Sequence, residues 1–241
     1  MKNKFSISII AADTPRLRSY IFFLKKNKFY IEKVYLLKKN QISKKLDFVS
    51  NSYFDNSDAS FGKFLRRNAK KIVKINSMSA NSKYILKDLK KLKSEYIIFC
   101  SNPGDILKKD FFNINKKIIH VHPGLLPLFR GSTPYYYQIL EKKSITFSSI
   151  FMSHKIDAGQ VICQKTLKVK SLNKLDIINF DDVYDPFFRG VMLLKTLKIL
   201  RRKKIKASKT VIFNKKYKSF FIIHPVLKFL SLKKGINEIK H

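Results

Sequence analysis

The stretch KIIHVHPGLLPLFRGSTPYYY, residues 117–137, decides the fold. Residues 117–121 are a short apolar run, which predicts a strand. Pro123 and Gly124 then end it, because proline lacks the ladder N–H and glycine weakens a strand. His120 and His122 stand two apart, so on a strand both side chains project from one face, at its C-terminal tip. Working outward, residues 4–12 (KFSISIIAA) read as a first strand and Asp13-Thr14-Pro15 as a helix start with proline in its first turn. Residues 16–26 carry Leu17, Tyr20, Ile21 and Leu24 near helical spacing, and residues 31–37 read as a second strand. The polar residues 51–60 predict a surface loop, residues 82–93 a helix through Ile85, Leu86, Leu89 and Leu92, and residues 95–100 another strand. Strands alternating with helices imply an α/β fold: a mostly parallel sheet with helices on both faces. In such sheets ligands bind outside the carboxyl ends of the strands, where the two histidines fall.

The 241 residues carry 51 Lys and Arg against 16 Asp and Glu, a formal charge of +35. With 45% apolar residues, 21 Phe and 11 Tyr, the chain can bury a sizeable core, which excludes a disordered basic tail as its main state. Of the cations 43 are Lys and 8 are Arg. Dedicated nucleic-acid readers lean on the planar guanidinium, so this balance favours general anion attraction over sequence reading. Cys100 and Cys163 both lie in apolar runs, too few for a disulfide framework and without zinc spacing, which points to a reducing compartment. No run reaches the length of a membrane span and no cleavable leader is evident, so the expectation is a cytoplasmic protein.

Past residue 165 the pattern changes. Residues 185–200 place Phe188, Val191, Leu194, Leu197 and Leu200 near helical spacing, closed by Arg201-Arg202-Lys203-Lys204, which suit a helix C-terminus. Residues 210–213 and 218–223 around an Asn-Lys-Lys turn predict a hairpin, and residues 229–232 are expected to pack on the core in preference to touching a membrane surface. The division expected is residues 1–200 as one catalytic domain and residues 201–241 as a basic extension of hairpin and short helix. Self-association through that extension stays open, since no exposed apolar stripe is evident in the sequence.

The motif HVHPGLLPLFRG at residues 120–131, with IDAGQVICQ at residues 156–164, resembles the folate-dependent formyltransferases, the family that includes methionyl-tRNA, glycinamide ribonucleotide and sugar N-formyltransferases. The family signature reads N-x-H-P-S-L-L-P-x-x-R-G, followed downstream by D-x-G. The resemblance is specific over residues 97–164 and only topological before that. It implies a Rossmann-like formyltransferase fold, with 10-formyltetrahydrofolate as the formyl donor. Carried over position by position, His122 is the family histidine and Asp157 the family aspartate, while His120 stands in place of the family asparagine and Gly124 in place of the serine.

The resemblance implies that an amine attacks the formyl carbon and that donors meet the negative charge developing on the formyl oxygen. An imidazole N–H of His120 can take the asparagine's part there. His122 would donate to that oxygen or carry the proton between nitrogens, with Asp157 orienting it. The loop at residues 101–107 stands where relatives wrap backbone around the pterin, so Gly104, Ile106, Leu107 and, from the other loop, Leu125 are the folate-binding candidates. Arg130 and Thr133 are the acceptor-binding candidates, Arg130 for a phosphate or carboxylate.

The acceptor follows by elimination. Ala11-Ala12-Asp13-Thr14-Pro15 lacks the glycine-rich phosphate loop of the glycinamide ribonucleotide enzyme. Only about forty residues follow Leu200, against the further domain of about a hundred in the initiator-tRNA enzyme. The N-terminal regulatory domain usual in deformylating relatives is not seen. An anionic, nucleotide- or lipid-linked amino sugar is the leading acceptor. The alternatives are activity on an RNA-linked amine, which the charge permits and the low arginine share does not favour, and a degenerate binding protein. A metal held by two histidines and Asp157 is a third, weaker reading.

Overall fold

Ile7, Ile9, Ile10, Ala11 and Ala12 of β1 (Ser6–Ala12) are completely buried, as expected of a strand flanked by parallel neighbours and covered on both faces. The computed structural model describes residues 5–39, 58–172, 179–202, 217 and 219–239, and divides into two compact units, residues 1–120 and 121–241.

In the first unit β1 is followed by α1 (Pro15–Lys26), β2 (Tyr30–Leu37), α2 (Asp58–Asn68), β3 (Ala69–Ile75), α3 (Lys83–Leu89), β4 (Tyr96–Cys100) and the start of β5 (Lys117–His122). The strands lie in the order β3-β2-β1-β4-β5 and every pairing is parallel. The Thr14 side chain accepts the Leu17 N–H, Pro15 opens α1 where no N–H is needed, and Lys25 and Lys26 close it. Arg18, itself buried, forks onto both oxygens of Asp13 at 3.0 and 3.1 Å, fixing the turn out of β1. The turn into β4 is held by Glu32, whose carboxylate accepts the N–H groups of Lys93 (3.1 Å) and Ser94 (2.6 Å). Asp88 accepts from Lys33 Nζ (2.6 Å) and the Tyr35 hydroxyl (2.7 Å). Partial burial works against its charge, but these two donors prevail and hold its carboxyl below the ordinary value.

The second unit begins within β5. It contains β6 (Arg130–Gly131), α4 (Pro134–Lys142), β7 (Ser144–Phe151), β8 (Gln160–Lys168), α5 (Asp185–Arg201), β9 (Ser219–Phe220) and α6 (Pro225–Ile239). β7 and β8 pair antiparallel with a bulge at Ser149/Ile150. Across the molecule the strand pairings are therefore mostly parallel. Tyr135 and Tyr136 on α4 are buried and both hydroxyls donate to one oxygen of Asp181, at 2.6 and 2.8 Å; burial first, and the aspartate charges next, push both phenols up. Arg189 on α5, also buried, grips Asp185 through Nε (2.8 and 2.9 Å) and donates from Nη1 to the Val121 carbonyl at 2.6 Å, pinning the end of β5.

Several expectations need correction. α2 and the lysine-rich β3 were not foreseen: AKKIVKI is a half-exposed edge strand whose lysines mask its apolar alternation, a common way to protect a sheet edge. Residues 58–60, read as loop, open α2, while residues 51–57 lie outside the described residues. Of the expected C-terminal hairpin, Ser219–Phe220 in the second arm pairs in parallel with Arg130–Gly131, and the first arm, residues 210–213, lies outside the described residues. Residues 229–230 do not pack on the core. Phe229 and Leu230 are exposed and Ser231 is buried, because α6 turns its small residues inward.

Candidate active site

His122 ends β5 and is buried, with 2% of its surface exposed. Its Nδ1 lies 3.3 Å from Asp157 Oδ1, and its Nε2 lies 2.8 Å from the Phe129 carbonyl oxygen. A carbonyl only accepts, so Nε2 carries hydrogen, and Nδ1 stands at ion-pair distance from the Asp157 carboxylate. Nε2–H is thus the donor this ring can turn toward a developing negative charge. Service as a proton carrier requires that the Phe129 bond be released first.

Asp157 reaches His122 from the turn between β7 and β8. Its backbone sits in the left-handed region, φ 51°, a conformation that aspartate tolerates better than most residues. Its second oxygen, Oδ2, accepts the Gly131 N–H at 2.8 Å. One carboxylate therefore joins the imidazole to the end of the 123–131 loop. Gly124 is what lets that loop close on the ring: a Cβ there would meet the Phe129 carbonyl oxygen at 2.2 Å and His122 Nε2 at 2.5 Å. The departure from the family serine is thus coupled to the histidine's geometry.

The loop is built on three polar side chains that sequence reading passed over. Gln138 takes the Leu125 N–H at 3.1 Å and gives to the Pro123 carbonyl at 3.3 Å. Ser148 donates to the Gly124 carbonyl at 2.5 Å, and Gln164 donates to Ser148 Oγ at 2.9 Å and to the Leu126 carbonyl at 3.1 Å. Gln138 and Ser148 are almost completely buried, where an unpaired amide or hydroxyl would be costly. Gln164 closes the quoted 156–164 motif, the one signal that pointed toward this network.

The remaining candidates fall as follows. His120 Nδ1 lies 3.2 Å from the Phe99 carbonyl, so Nδ1 carries hydrogen and Nε2 of a neutral ring is an acceptor; the oxyanion-donor role expected of it needs the protonated ring. Arg130 is buried and its Nη2 donates to Ser219 Oγ at 2.9 Å, which ties β6 to β9. Thr133 Oγ1 accepts the Ile223 N–H at 2.9 Å. Leu125 is half-buried in the loop held by Gln138.

Gly104 and Ile106 line a cleft of about 440 Å³ in the first unit, with Met78, Ser79, Asn81, Asn102 and Asp105, whereas Leu107 is buried and does not line it. Gly104 has φ 79°, and a Cβ there would meet nothing within 4 Å, so turn conformation and not crowding selects glycine. Asp105 organises this loop by accepting from the Ser101 hydroxyl, the Ser79 hydroxyl (2.8 Å) and the Ala80 N–H (2.7 Å). Asn102 donates to the Lys38 and Met78 carbonyls, and Asn81 bridges the Ile106 carbonyl and Lys108 N–H. With these side chains committed to the loop itself, the exposed Met78 and Ile106 side chains are apolar surface that the cleft offers a ligand. Among the described residues no three His, Cys, Asp or Glu side chains converge as a metal site, and no helix is long and apolar enough to cross a membrane.

The mostly parallel sheet with its helices is the fold of solved formyltransferases. Residues 25–179 match the model of the formyl transferase family, and the chain belongs to that family. Among curated relatives, it is 41% identical over 70 residues to a methionyl-tRNA formyltransferase of Borreliella afzelii, covering 28% of this chain and 22% of that one. It is 33% identical over 120 residues to that of Mycoplasma genitalium, covering 48% of this chain and 37% of that one. The matches thus span well under half the length of these relatives. Among solved structures, a sugar N-formyltransferase from Shewanella aligns over 96% of this chain and 88% of its own at TM-score 0.58 and 17% identity. A glycinamide ribonucleotide transformylase from Symbiobacterium toebii aligns over 89% and 96% at TM-score 0.59 and 12% identity. The N-formyltransferase from Helicobacter canadensis, solved with folinic acid and dTDP-3-aminofucose, aligns over 95% and 80% at TM-score 0.59 and 16% identity.

Proposed function

We propose that the protein transfers a formyl group from 10-formyltetrahydrofolate to a primary amine, and that the amine belongs to a nucleotide- or lipid-linked amino sugar. The observation that carries the reaction is the buried His122–Asp157 pair, 3.3 Å apart, inside the motif shared with the family. In this reading the amine nitrogen bonds to the formyl carbon, the bond from that carbon to the folate nitrogen breaks, and one proton passes from the amine to the leaving nitrogen. His122 Nε2–H leaves the Phe129 carbonyl and donates to the formyl oxygen as charge develops there, while Asp157 holds the ring in its donor state. The cleft around residues 102–106, about 440 Å³ and uncrowded at Gly104, has room for the flat end of the folate, which supports placing the donor there.

The sugar acceptor is supported by the missing glycine-rich phosphate loop after β1, where Ala11-Ala12-Asp13-Thr14-Pro15 stands. A second reading, formylation of an aminoacyl-tRNA, is favoured by the curated relatives and is compatible with the charge of +35. Purified protein is incubated with 10-formyltetrahydrofolate and, separately, with nucleotide-linked amino sugars and methionyl-tRNA, and tetrahydrofolate release is followed. Acceptor-dependent release that His122→Ala reduces at least about tenfold is expected. A smaller loss overturns the role of His122, and release with methionyl-tRNA alone overturns the sugar acceptor.

A further inference from the structure

Helix α6 is built inside out. Ser231 is completely buried and Gly235 is buried, while Val226 (57% exposed), Phe229 (64%) and Leu230 (44%) face outward. Together with the exposed Lys233 they recur at helical spacing on one face. The segment leading into the helix extends the apolar surface through Phe221, 85% exposed, and Ile222, 76% exposed. The inward cations are already engaged: Lys228 pairs with Asp181, and Lys234 donates to the Leu140 carbonyl at 2.5 Å. These contacts and the half-buried Leu232 and Ile236 dock the helix, which leaves Val226, Phe229 and Leu230 unexplained by packing. Such a cluster of exposed large hydrophobics marks a contact surface more often than chance.

We propose that this face lies on an anionic lipid surface, with Phe221, Ile222, Val226, Phe229 and Leu230 entering the headgroup boundary and the surrounding lysines meeting the lipid charge. From Arg201 onward the chain carries thirteen Lys and Arg and a single acid, Glu238. An apolar wedge in a strongly cationic segment is the combination that in-plane membrane association uses. The same charge disfavours a second copy, because two surfaces of a +35 chain would bring like charges together as they met. RNA would be drawn by the lysines and has Phe221 and Phe229 to stack on, but it would leave Ile222, Val226 and Leu230 in water, whereas a headgroup boundary takes up all five side chains. The proposal does not depend on formyl transfer.

The test is co-sedimentation of the full chain with phosphatidylcholine vesicles and with vesicles that also contain phosphatidylglycerol. The comparison is with the double variant Ile222→Glu/Phe229→Glu and with Lys233→Glu. Both apolar positions are exposed, so the variants should fold, and circular dichroism with thermal melting checks this. The expected result is binding to the phosphatidylglycerol vesicles that weakens with salt and falls by about tenfold or more in the double variant. Lys233→Glu should weaken it by a smaller factor. Binding that the double variant leaves unchanged would reduce the effect to nonspecific adsorption of a basic protein and overturn the proposal. So would no vesicle binding, a wild-type dimer in light scattering that the double variant dissolves, or RNA binding lost in the same variant.

Discussion

Two loops that follow parallel strands, residues 101–107 after β4 and residues 123–131 after β5, are each tied together by one aspartate. Asp105 accepts only from hydroxyls and a backbone N–H, neutral groups that keep their protons across the working pH range. Asp157 accepts a backbone N–H with one oxygen and faces the imidazole of His122 with the other. The first carboxylate is therefore a loop fastener, and the second couples a loop fastener to a titratable ring. An aspartate that fastens a strand-end loop can do more than fasten it only where its partner can change charge.

That contrast breaks most visibly at Asp157. Asp157→Asn should lower the rate of formyl transfer by roughly 10² to 10⁴-fold with the fold retained, because the His122 ring loses the carboxylate charge beside Nδ1. Single-turnover kinetics read this, and a loss below about tenfold would place Asp157 with Asp105 as a fastener. The converse variant, Asp105→Ala, should cost about 1–3 kcal/mol in urea unfolding by orphaning the Ala80 N–H and two hydroxyls, and it should weaken folate binding more than it slows the bound enzyme. Gly124→Ala sharpens the comparison on the His122 side. Its Cβ has no room against the Phe129 carbonyl, so the loop must shift, at about 1–2 kcal/mol of stability, with the His122 ring resonances moving in NMR.

The smallest effect concerns an aspartate outside both loops, Asp88 on α3. Lys33 and Tyr35 hold its carboxyl below the ordinary carboxylate value against partial burial, so it binds its proton less readily folded than unfolded. Its contribution is thus fully present above the unfolded value and is lost as pH falls through the lowered folded value. Asp88→Asn should remove roughly 1 kcal/mol at pH 7 and almost nothing at the acid end, seen as converging urea midpoints as pH drops below about 4.

The strand–helix alternation of residues 6–37 was legible because apolar periodicity and the Thr14-Pro15 start are local features. The pairing of His122 with Asp157 was legible only through the family motif, since nothing in the spacing of the two residues brings them together. Gln138, Ser148 and Gln164 were not legible as loop supports, because a buried amide or hydroxyl looks in sequence like a surface one. β3 was hidden by its lysines, and α6 was misjudged because Phe229 and Leu230 suggested a core face when Ser231 and Gly235, with the half-buried Leu232 and Ile236, supply it.

By itself, the sequence determined the class of sheet, the strand tip on which His120 and His122 stand, and membership of the family, all properties carried by short-range pattern. Only the tertiary structure decided that Phe129 and Asp157 hold both nitrogens of His122, that Gly124 makes room for this, and that α6 turns its apolar side chains outward. Those outcomes depend on hydrogen-bond partners and packing surfaces contributed by segments distant in the chain, and the choice among them is made by burial, which no local pattern records.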